Sequence, residues 1–124
     1  MPVRRLPSAL AFSVAFAGLA ACARPAPIDR QALRAAVGDA PVVMLSASWC
    51  GYCRKLRADL RRWDVAFSEF DVEDDAAGTQ AYSLLRGNGV PILLVNEHRV
   101  SGYAPSRARE LLASAGLLRS GTIH

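Results

Sequence analysis

Two cysteines three positions apart, Cys50 and Cys53, are the residues of this chain best suited to chemistry. They lie in the pentapeptide Trp49-Cys50-Gly51-Tyr52-Cys53. Thiols at this spacing can close a small disulfide ring and reopen it by thiol–disulfide exchange. The apolar run Val42-Val43-Met44-Leu45 precedes the motif, and a helix-like stretch from Arg54 to Trp63 follows it. At a helix N-terminus, free N–H groups and the helix dipole stabilise a thiolate, the reactive form of cysteine. Cys-x-x-Cys at such a strand-to-helix turn reads as a redox site. Cys50 is expected to attack and Cys53 to resolve. Arg54, Lys55 and Arg57 add a smaller, solvent-screened pull on the Cys50 proton. Trp49 and Tyr52 would shield the ring and offer apolar contact to a substrate, although simple packing explains Tyr52 equally well.

The elements that must hold this motif follow from pattern and punctuation. Asp29 is expected to cap a helix through about Val37, with Gly38 as its stop. The continuous apolar run Val42–Ala47 predicts a strand buried on both faces. Tyr52, Leu56, Leu60 and Trp63 recur at helical spacing and should face the core, with Arg54, Lys55, Arg57, Arg61 and Arg62 outward. Val65–Val72 alternates like a strand, and Asp74 or Asp75 should cap a helix over about Ala76–Arg86. Ile92–Val95 predicts a third strand, Asn96-Glu97-His98 a turn, and Arg99–Tyr103 a fourth strand. Pro105 opens the last helix. A crossover helix makes the first two strands parallel, and a hairpin makes the last two antiparallel. The expectation is an α/β fold: a four-stranded mixed sheet with helices on both faces.

This arrangement resembles the thioredoxin superfamily in its short, glutaredoxin-like topology. The likeness runs from about Val42 to Ala113. It rests on Trp49-Cys50-Gly51-Tyr52-Cys53, on Asp71-Val72-Glu73-Asp74, on Gly89-Val90-Pro91 before an apolar strand, and on Gly102-Tyr103 after the hairpin. The resemblance implies that Pro91 follows a cis peptide bond and lies against the cysteine pair. It also implies that Val90 pairs through its backbone with an extended substrate. Three departures accompany it. Met44 stands where thioredoxins commonly keep a buried Asp, so no side chain of that strand can act as a base for Cys53. Ala47 stands where glutaredoxins have a Lys, and Gly102-Tyr103-Ala104-Pro105 replaces their glutathione-holding turn, which leaves glutathione use open. The Gly-Tyr pair between the cysteines is similar to that of periplasmic disulfide isomerases, whose dimerisation domain has no room here.

The N-terminus reads separately. Arg4 and Arg5 precede Ala9–Ala21, an apolar stretch of 13 residues. A membrane-spanning helix needs about 20 residues, so this length suits the apolar core of a secretory signal peptide. Its end, Leu19-Ala20-Ala21-Cys22, resembles the lipobox of bacterial lipoproteins, which implies cleavage before Cys22 and lipid attachment to that thiol. The alternatives are cleavage nearby with Cys22 a bystander, or an uncleaved anchor. Ala23, rather than Asp, resembles the default outer-membrane address. The expected organisation is a signal peptide over 1–21, a tether over 22–28, a thioredoxin-like domain over 29–119 and a tail over 120–124.

With Cys22 assigned to lipid, the three cysteines leave one pair and no structural disulfide. Beyond the signal, 13 basic residues face 11 acidic ones, a balance that does not suggest nucleic-acid binding. The reading is a periplasmic, lipid-anchored thiol–disulfide oxidoreductase with no cofactor beyond its Cys50–Cys53 disulfide and no metal. Its expected partners are client proteins with disulfides or thiols, a membrane redox partner that resets the pair, and the membrane itself through Cys22. Reduction is the direction favoured, by similarity to thioredoxin-like lipoproteins. A copper carrier using both thiols and a non-catalytic interaction domain are the alternatives. His98 and His124 are not placed near the pair by the sequence.

Overall fold

The computed structural model describes residues 26–119 and the single positions 2, 3 and 18. Cys22 and the tail 120–124 lie outside the described residues, as does the rest of the 1–21 leader. The chain runs α1 (Arg30–Val37), β1 (Val42–Ser46), α2 (Gly51–Arg62), β2 (Ser68–Asp71), α3 (Ala76–Leu84), β3 (Ile92–Val95), β4 (His98–Ser101) and α4 (Pro105–Ser114). The strands form one sheet in the order β2-β1-β3-β4. β1 pairs parallel with β2 and antiparallel with β3, and β3 pairs antiparallel with β4.

β1 is buried along its whole length because both of its faces are covered. Val42 and Met44 join Leu56 and Leu60 of α2, Leu93 and Val95 of β3, and Leu111 and Leu112 of α4 in one core layer. Val43 and Leu45 join Val37 of α1, Ala81 of α3, Leu85, and Ile92 and Leu94 of β3 in the other. The two-residue period of the strand thus divides a single apolar run between two cores. Each fully buried Leu, Ile, Val or Met contributes about 1.5–3 kcal/mol, so these two layers are the main stabilising term.

Local chemistry sets the helix ends. Asp29 Oδ1 accepts the Ala32 N–H at 2.9 Å and Asp75 Oδ1 accepts the Ala77 N–H at 3.1 Å, so both act as N-caps. α2 ends where Asp64 adopts φ 56° and the Val65 N–H returns to the Leu60 carbonyl. That closure uses the Val65 amide, so the second strand begins at Ser68 rather than Val65. α3 likewise stops at Leu84, two residues before the expected end, because Arg86 takes φ 49° and Gly87 N–H bonds back to Tyr82. The β3–β4 turn is two residues, Asn96 and Glu97, with Asn96 at φ 52°. His98 therefore belongs to β4, paired with Val95, and the strand ends at Ser101 because Gly102 turns the chain at φ 79°. Among the described residues no helix is long and apolar enough to cross a membrane.

Candidate functional site

Parallel β1 and β2 deliver their C-terminal ends to the same side of the sheet, and the turn after β1 carries the cysteine motif. Cys50 is the N-cap of α2, with extended backbone at φ −82° and ψ 106°. Its sulfur accepts the Cys53 N–H at 3.0 Å. Cys50 and Cys53 are joined as a disulfide, with Cα atoms 5.2 Å apart. Cys50 is 4% exposed and Cys53 not at all, so Cys50 presents the outer sulfur of the ring.

β3 runs antiparallel to β1, which brings its first residue beside the motif. The peptide bond between Val90 and Pro91 is cis. The Val90 carbonyl lies 3.8 Å from Cys50 Sγ, and Pro91 is buried. Cys50, Cys53, Val90 and Pro91, nearly 40 residues apart in the chain, therefore meet at one place. Behind Pro91, its carbonyl accepts the Gly102 N–H at 2.8 Å, which ties the turn after β4 to the same spot.

The two aromatic residues of the motif flank Cys50 on the surface. Trp49 is 66% exposed and donates Nε1–H to Glu73 Oε1 at 2.6 Å. Tyr52 is 59% exposed, so the expectation that it faces the core with Leu56 and Leu60 does not hold. Cys53, one residue on, takes the buried position at the head of that face. Tyr52 instead stacks on Tyr103, with ring centroids 5.7 Å apart and planes at 24°. Lys55 Nζ lies 5.2 Å from the Tyr52 ring centroid.

Two polar clusters beneath the site were not legible beforehand. Tyr103 Oη donates to Asp59 Oδ2 at 2.6 Å, and Arg62 pairs with the other Asp59 oxygen. This bond to Asp59 raises the Tyr103 phenol above its ordinary ionisation range. Asp59 is buried, yet it stands six residues after Cys53, about 9 Å along the helix axis, too far to take the thiol proton directly. The second cluster joins three elements: Arg57 of α2 donates Nε–H to Glu69 of β2 at 2.7 Å, and Ser46 of β1 donates to the same carboxylate at 2.8 Å. The Arg57 guanidinium, with help from Ser46, holds Glu69 below the usual carboxylate range. Met44 is fully buried in β1, and no titratable side chain of that strand approaches Cys53.

The acidic run after β2 is structural. Asp71 Oδ1 accepts the N–H groups of Glu73 and Asp74 at 2.8 and 2.9 Å, and Asp75 caps α3. His98 lies exposed in β4. Among the described residues no three His, Cys, Asp or Glu side chains are grouped to hold a metal ion.

Comparison with known proteins agrees with this geometry. Residues 42–100 match the Glutaredoxin family model. A wheat glutaredoxin structure is similar at 26% identity and TM-score 0.55, covering 71% of this chain and 98% of that one. A mutated buckwheat glutaredoxin is similar at 17% identity and TM-score 0.58, covering 72% and 94%. A reduced glutaredoxin C1 from Populus tremula x tremuloides gives 22% and 0.56, covering 71% and 84%. One curated relative, described as Probable CCR4-associated factor 1 homolog 7 of Arabidopsis thaliana, is 36% identical over 62 residues, half of this chain. The chain spans about a fifth of that relative's length, 22%. A glutaredoxin-like fold with a Cys50–Cys53 pair supports thiol–disulfide redox function. The chain carries a thioredoxin-superfamily domain, with its cysteine pair at the start of α2.

Proposed function

We propose that this protein is a thiol–disulfide oxidoreductase that exchanges disulfides with extracytoplasmic client proteins, in the reductive direction. The observation that carries the reading is the placement of Cys50: an N-cap sulfur on α2, the more exposed of the pair, 3.8 Å from the Val90 carbonyl. In the reduced protein the Cys50 thiolate attacks one sulfur of a client disulfide, forming a mixed disulfide and releasing the other client sulfur as a thiolate. The Cys53 thiolate then attacks Cys50, closing the Cys50–Cys53 bond and releasing the second client sulfur. Two electrons pass to the client and solvent supplies its two protons.

Val90 and Pro91 offer backbone to an extended client segment, and Trp49 and Tyr52 offer apolar contact on either side. A membrane partner that donates two electrons returns the pair to the dithiol. Cleavage before Cys22 and its lipidation would hold the domain at the membrane, in the periplasm and on the outer membrane by preference. Acyl chains supply that attachment through their buried CH₂ groups.

The test is reduction of insulin by the pre-reduced protein. Cys50→Ser is expected to abolish it, and Cys53→Ser to accumulate mixed disulfides. Undiminished reduction by Cys50→Ser would sink the assignment.

A further inference from the structure

Both aromatic side chains beside Cys50 are exposed, yet both are held still. Trp49 is fastened to Glu73. Tyr52 is stacked on Tyr103, and Tyr103 is fastened at both ends: its hydroxyl to the buried Asp59 of α2, and its preceding residue, Gly102, to the Pro91 carbonyl. Tyr103 therefore links the Val90–Pro91 loop, through Gly102, to Tyr52 and Asp59 of α2, the helix that Cys50 caps. It lies three residues beyond the segment that matches the family model.

An exposed ring that is immobilised has already lost its rotamer freedom. A partner that docks on it forgoes little further conformational entropy, which is why rigid Tyr and Trp make efficient contact surfaces. One face of Tyr52 is covered by Tyr103, and Lys55 lies over the ring. The free edges remain, and ring edges carry partial positive charge that favours the face of another aromatic ring. Glu73 is engaged by Trp49, Asp59 by Tyr103 and Arg62, and Arg57 by Glu69, while Lys55 keeps its charge over the Tyr52 ring. A small charged disulfide has no aromatic ring to lay against these edges and gains nothing from that contact.

We propose that Tyr103 is a specificity-determining residue, forming with Tyr52 a pre-set aromatic wall that selects polypeptide disulfides flanked by an aromatic side chain over small charged disulfides. The inference rests on the oxidoreductase reading above and names its substrate class. The exchange is the one already written, with client sulfurs reduced and Cys50–Cys53 oxidised.

The experiment mixes pre-reduced protein with three disulfides in single turnover: a cystine peptide with Phe beside the bridge, the same peptide with Gly there, and glutathione disulfide. Wild type is expected to favour the Phe peptide over the Gly peptide by about 3- to 10-fold, the range one aromatic contact supplies. Glutathione disulfide is expected to be the slowest. Tyr103→Ala should erase the Phe-to-Gly ratio. Tyr103→Phe keeps the ring and the packing but frees it from Asp59, and should lose at least half of the preference. Equal wild-type rates on all three substrates would overturn this inference alone. So would an undiminished ratio in a folded Tyr103→Ala protein or in Tyr103→Phe. Absence of exchange with all three would overturn the oxidoreductase reading, and this inference with it.

Discussion

The sulfur of Cys50 accepts the backbone N–H of Cys53 at 3.0 Å, so the side chain suited to attack also caps the helix that carries its partner. Exposure adds to the asymmetry, since Cys50 is 4% exposed and Cys53 fully buried. Alkylation of the reduced protein with iodoacetamide should therefore modify Cys50 first. At about pH 6.5, where a free thiol is almost entirely protonated, peptide mass mapping should find at least about ten times more label on Cys50. Faster labelling of Cys53 would reverse the assigned roles.

Gly78 in α3 packs directly on the end of β2, where an added Cβ would collide with the Asp71 carbonyl. Helix propensity alone favours Ala over Gly by about 1 kcal/mol. Steric overlap with backbone works the other way, and overpacking costs about 1–3 kcal/mol. Gly78→Ala is thus expected to destabilise the domain, read as a lower urea midpoint at unchanged slope. A raised midpoint would show that α3 can shift freely from β2.

Acid should act through Glu69. Arg57, chiefly, and Ser46 hold its folded ionisation below the ordinary carboxylate value. A carboxyl depressed on folding contributes stability above its unfolded pKa and loses it as pH falls through the folded one. Wild type should accordingly exceed Glu69→Gln in stability at neutral pH, with the gap closing as pH falls below about 4.3. Urea unfolding of both proteins across that interval makes the comparison. A gap independent of pH would mean that the charge on Glu69 contributes nothing to folding.

The expected lipid on Cys22 has a direct readout. Cells grown with labelled palmitate should incorporate label into the wild-type protein, and Cys22→Ser should lose all of it. Cys22→Ser should also leave the purified domain's insulin reduction unchanged, because Cys22 precedes the described domain. Retained label would place the acyl group elsewhere, and an unlabelled wild type would remove the anchor from the functional reading.

Much of the frame was written locally. The apolar run at Val42, the Asp29 and Asp75 caps, the Pro91 strand entry and the Cys-x-x-Cys helix start each depend on residues within a few positions of one another. Helix and strand periodicity, capping and turn chemistry are short-range effects, so they show in the order of residues. Val65 alternates like a strand residue, yet its amide closes α2, so β2 starts only at Ser68. Helical spacing alone puts Tyr52 on the apolar face, yet the buried position at the head of that face belongs to Cys53.

What the residue order determined about this protein is the kind of chemistry: two thiols at a helix start, ahead of a proline-led strand. Tertiary packing alone decided the surroundings of those thiols. The Val90 carbonyl approaches Cys50 across 40 positions, Tyr103 reaches Asp59 across 44, and Glu69 gathers Ser46 and Arg57 from two other elements. Such contacts follow from the sheet order β2-β1-β3-β4, which lays distant segments side by side, and no local pattern of side chains encodes that neighbourhood.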